Sequence, residues 1–111
     1  MKEFKGTPGP WILDKRVACV AIYPDGRQGD TEGCHSDDER NIAYSCKGAE
    51  YDDVVGYWSM DKQTVHDFTL MAAAPDLLEA LQEVVKVLDG AGCEAATVKA
   101  KVAISKALGE E

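Results

Sequence analysis

Apolar residues fall into two regimes along this chain. Upstream of residue 60 they come in short runs broken by glycine, proline and acidic residues, and downstream they recur at helical spacing. Asp61 is placed to cap a helix that starts near Lys62 and carries Val65, Phe68, Leu70 and Met71 toward Ala74. Pro75 interrupts it and, with Asp76, suits the first turn of a second helix. There Leu77, Leu78, Leu81, Val84, Val85 and Leu88 form an amphipathic stripe that Gly90-Ala91-Gly92 ends. A last helix is predicted over Glu94–Leu108, with Val98, Val102, Ile104 and Leu108 set among alanines and Gly109 as terminator. Alanine favours helix but buries little area, so a close hairpin with the preceding helix is expected.

The first half predicts strands. Thr7-Pro8-Gly9-Pro10 cannot be helical, which makes residues 1–10 an extended arm anchored by Trp11. Trp11–Leu13 and Val17–Tyr23 are strand candidates, and the second is apolar on both faces: Val17, Cys19, Ala21 and Tyr23 on one, Ala18, Val20 and Ile22 on the other. It should therefore be central and covered on each side. Pro24-Asp25-Gly26 is a turn. Asn41–Lys47 and Val54–Met60, the latter with Gly56 as a bulge, complete the set, while Asp30–Arg40 and Gly48–Asp53 read as acidic connections. The fold class is α+β: a small antiparallel meander of three or four strands, then two or three C-terminal helices packed on it. At 111 residues this is one domain, with an arm (1–10), a β region (11–60) and a helical region (61–111).

Charge narrows the function classes. The chain carries a net −8, and residues 25–53 supply most of it, with nine acids against three bases. That balance argues against nonspecific nucleic-acid binding, which needs a surplus of cations. No apolar run reaches membrane-spanning length, and residues 1–20 lack the arrangement of a secretory signal. The four cysteines, Cys19, Cys34, Cys46 and Cys93, form no Cys-x-x-Cys knuckle and are expected as reduced thiols. Cys19 and Cys46 fit small core positions in strands, and Cys34 an exposed loop. A weak zinc alternative would use Cys34, His35, Cys46 and His66, at spacings that seldom converge on one ion. No nucleophile elbow, metalloprotease helix or phosphate loop is present, so neither catalysis nor a cofactor is expected.

Three stretches carry a resemblance: Thr7-Pro8-Gly9-Pro10-Trp11, the helix from Leu70-Met71-Ala72-Ala73-Ala74-Pro75-Asp76-Leu77-Leu78-Glu79-Ala80-Leu81, and the closing Ala103-Ile104-Ser105-Lys106-Ala107-Leu108-Gly109. Together they resemble small accessory proteins of tailed bacteriophages and prophages. Those open with Thr-Pro-Gly-Pro-Trp and end in an Asn-Ala-Arg-Leu-Ile-Ala-Ala-Ala-Pro-Glu-Leu-Leu-Glu-Ala-Leu type of helix. Residues 12–60 share no such motif, and Asp67-Phe68-Thr69 replaces Asn-Ala-Arg, so no role passes over from that arginine. The resemblance implies a non-structural phage gene product working in the host bacterial cytoplasm.

Such a protein is expected to act by binding, as an inhibitor of a host protein or of host antiviral defence. The candidate surface is acidic: Asp30, Glu32, Asp37, Asp38, Glu39, Asp52 and Asp53, whose field would speed docking onto a basic partner. A solvated loop that keeps the protein soluble accounts for the same residues. The alternative is a homodimer that sequesters a nucleotide-like signal, with Tyr51, Tyr57 and Trp58 stacking a base and Arg40 meeting phosphate.

Overall fold

The computed structural model describes residues 3–16, 18–26 and 40–110. They form an α+β fold in two compact units, Gly9–Ala74 and Met1–Pro8 with Pro75–Glu111.

In the Gly9–Ala74 unit, β1 (Trp11–Lys15), β2 (Val20–Pro24) and β3 (Ala43–Ser45) make an antiparallel sheet of order β1-β2-β3. Leu13 faces Ile22 across the first pair, and Ala21 faces Tyr44 across the second. As its two apolar faces require, β2 is central, and Val20 through Tyr23 are all buried. A helix, α1 (Lys62–Ala72), lays Phe68 and Ala72 on Val20 and Ile22, with Trp11, Leu13, Ile42, Ala43 and Met60 around them. Burial of each large side chain in that cluster contributes about 1.5–3 kcal/mol.

The helix starts where its cap is. The Asp61 carboxylate accepts from the Thr64 N–H at 3.2 Å and from the Thr64 hydroxyl at 3.0 Å, which explains why Thr64 can be buried. Gly48 lies against this cap at φ +77°, and a Cβ there would collide with the Asp61 side chain.

The rest of the β region differs from the expected single meander. β4 (Glu50–Asp52) and β5 (Tyr57–Ser59) form a separate antiparallel hairpin. Residues 53–56 are its turn, although Val54, Val55 and Gly56 are expected from the pattern to start the last strand. Asp52 Oδ1 accepts from the Val54 and Val55 N–H groups at 2.8 and 3.2 Å, and Gly56, at φ +82°, donates its N–H to the Asp52 carbonyl at 2.7 Å. Gly56 closes a loop rather than forming a bulge, because the side-chain bonds of Asp52 favour a turn over an extended valine pair. Cys46, expected in the core, is exposed beyond the end of β3, whereas Cys19 is buried; Cys19, Cys46 and Cys93 are free thiols.

In the other unit, α2 (Ala74–Gly90) and α3 (Val98–Ala107) are joined through a 3-10 turn over Glu94–Thr97. Only part of the α2 stripe is covered: Val85 is buried, while Leu77 and Val84 are exposed, as is Val87 outside the stripe. The helices are stapled by Asp89, which accepts from the Thr97 hydroxyl at 2.9 Å and pairs with the Lys101 ammonium at 2.9 Å. A cleft of about 680 Å³ opens over Val85, Ile104 and Leu108. Among the described residues no helix is long and apolar enough to cross a membrane.

These contacts set the response to substitution and to acid. Gly48→Ala should lower unfolding free energy by about 1–3 kcal/mol, and Gly56→Ala, whose Cβ meets only the Tyr51 hydroxyl, by about 1 kcal/mol, measured in urea. The Lys101 hydrogen bond, aided by Thr97 and by the charge of Lys101, holds Asp89 below its ordinary value against an opposing desolvation. A depressed folded value means this stabilisation is complete above the unfolded carboxylate value of about 4 and fades as pH falls through the lower folded one. Asp89→Asn should remove that part of the acid dependence of melting temperature.

Candidate functional site

The β4–β5 hairpin is exposed at every strand position. Tyr51 and Trp58 are directly opposed across it, and their rings meet at 5.6 Å, tilted by 55°. Side chains alternate across a strand, so Asp52 and Tyr57 lie on the other face. Val54 at the tip is 95% exposed, and Tyr51, Val55, Tyr57 and Trp58 are 46–57% exposed. A single apolar residue in water is ordinary, whereas five on one short hairpin leave apolar surface on both of its faces, as interaction sites do. The acids Glu50 and Asp53 border it, both exposed. Asp52, expected from the sequence to contact a partner, commits one oxygen to the turn.

Beside the hairpin, where β1 ends, β5 leaves and α1 starts, lies an open groove of about 520 Å³. Its walls are Lys15, Arg16, Trp58, Ser59, Met60 and Lys62. Three cations thus line one concavity of an acidic protein. Arg16 is bridged to Asp14 at 3.4 Å, a long and partly exposed contact. Lys62 is the first residue of α1, whose first turn holds no acid, and a cation there opposes the positive end of the helix dipole by about 0.3–1 kcal/mol.

Of the residues proposed to hold a nucleotide-like ligand, Trp58 lines this groove and contacts Tyr51, while Tyr57 and Arg40 do not line it. The convergence of Lys62 with the Lys15-Arg16 pair escapes sequence reasoning because the two segments are far apart in the chain; the pair itself, after an apolar strand, is the one signal that points to it. The acidic positions Asp30, Glu32, Asp37, Asp38 and Glu39, with Cys34 and His35 of the zinc alternative, lie outside the described residues. His66 and Cys46 are both exposed, and no cluster of three or more metal-binding side chains occurs among the described residues. The cleft of the helical unit carries Lys86, Asp89, Lys101 and Glu110, so its charges balance and Asp89 already holds Lys101.

Comparison with curated proteins and with solved structures gives no match. A family model does match, over residues 1–111, and it describes Salmonella phage P22 protein Y8K6. The match spans the sheet, the hairpin and all three helices, and the chain belongs to this phage protein family.

Proposed function

We propose that this phage protein acts by binding a host protein, and that the β4–β5 hairpin is the main contact. The observation that carries the reading is the exposure of Tyr51, Val54, Val55, Tyr57 and Trp58 on a ribbon that takes no part in the core cluster. Tyrosine and tryptophan are the residues on which binding energy concentrates, since each buries a large area with few rotamers to freeze. The turn bonds of Asp52 pre-order the tip, so little conformational freedom is lost on docking. Glu50 and Asp53 would add an electrostatic rim, suiting a partner with an apolar pocket ringed by basic residues. Inhibition of a host defence component is one consequence of such binding, and no chemical step by the phage protein is needed for it.

A second reading rests on the helices. Leu77, Val84 and Val87 are exposed on α2, and Val98 and Val102 on α3. They favour association of two copies, as the width of the apolar stripe leads one to expect.

For the first reading, the expected result is one specific host protein retained by the wild type in pull-downs from host lysate and lost with Val54→Ser/Tyr57→Ala. Stability of that variant should stay within about 0.5 kcal/mol of wild type. Retention of the same partner by the variant would remove the hairpin from the interface. For the second, sedimentation equilibrium should give a dimer that Val84→Asp/Val87→Asp dissociates; a monomer at every concentration would rule it out.

A further inference from the structure

The groove beside Trp58 calls for a different occupant from the hairpin tip. We propose that it is a binding site for a nucleotide: a small phosphate-bearing molecule with a planar ring. The site is an open groove of about 520 Å³, so an occupant keeps one side in water. Its wall is chemically divided. Lys15, Arg16 and Lys62 supply cations, while Trp58 and Met60 supply an apolar, polarisable surface with the Ser59 hydroxyl between them.

The charges fit this occupant. Among the described residues neither Lys15 nor Lys62 forms an ion pair. Like charges gathered in one concavity repel, and Lys62 sits at the helix end that disfavours it. A phosphate placed there offsets that repulsion by pairing with the Lys15 and Lys62 ammonium groups, while Arg16, engaged by Asp14, contributes only its charge.

The ring fits as well. Trp58 is held by Tyr51 in a tilted contact and by its place in β5, yet remains 46% exposed. A ring fixed in this way and still open to solvent is a stacking platform for a base. An acidic peptide would use the cations and leave the indole idle, which makes a nucleotide the better match.

The test uses the full chain at low salt, titrated by calorimetry with ATP, AMP, adenosine, inorganic phosphate and a poly-glutamate peptide. ATP and AMP should bind and quench tryptophan fluorescence, with adenosine and inorganic phosphate each much weaker than AMP. Lys15→Glu/Lys62→Glu and, separately, Trp58→Ala should each weaken ATP binding by about tenfold or more, with circular dichroism unchanged. In Trp58→Phe the quenching should vanish although Trp11 remains. Absence of heat and quenching with both nucleotides at millimolar concentration overturns the proposal. So does a poly-glutamate affinity equal to that of ATP and unaffected by Trp58→Ala. The Lys15→Glu/Lys62→Glu variant should still retain the host partner of the hairpin, so the two readings can fail separately.

Discussion

Phe68 and Ala72 of α1 pack on Val20 and Ile22 of β2, and this contact, made by a helix that starts close to the end of β5, is the one on which the rest of the unit depends. It fixes Asp61 as the cap and brings the Gly48 turn against it. Only Met60 then separates the last strand from the cap, so the hairpin emerges directly beside the start of the helix. Lys62 and Trp58 come to share a groove with Lys15 and Arg16 because the core places the end of β1 at the same corner. Candidate function is thus a by-product of a small core.

Apolar residues are divided between two tasks. Val20, Ala21, Ile22, Tyr23, Phe68 and Val85 are buried and contribute to folding. Val54, Val55, Tyr57 and Trp58 remain in water, where they contribute little to folding and would gain by being covered. An isolated two-stranded ribbon has marginal stability in water, so its order relies on the Tyr51–Trp58 contact and the Asp52 turn. A net negative charge offsets the tendency of such a surface to aggregate.

Much of the fold is legible in the sequence because the signals are local. The double apolar face of Val20–Tyr23, the Asp61 cap and the break at Pro75 are each set by a few neighbouring residues. The hairpin is half legible. Glu50-Tyr51-Asp52 reads as an acidic connection because its alternation is one aromatic between two acids, and only pairing with Tyr57–Ser59 makes it a strand. Cys46 departs from its expected core position because β3 stops one residue before it. The groove is not legible: its cations come from two segments, and whether they converge depends on the packing of α1, which no local pattern encodes.

Hydrogen exchange on the free protein tests the division between frame and contact surface most directly. Amides of Val20–Tyr23 and of the centre of α1 should exchange only through global unfolding, while those of Tyr51, Tyr57 and Trp58 should exchange orders of magnitude faster through local opening. Equal protection of the hairpin and β2 would mean that the exposed aromatics belong to a core or a permanent interface, which contradicts a free ribbon held ready for a partner.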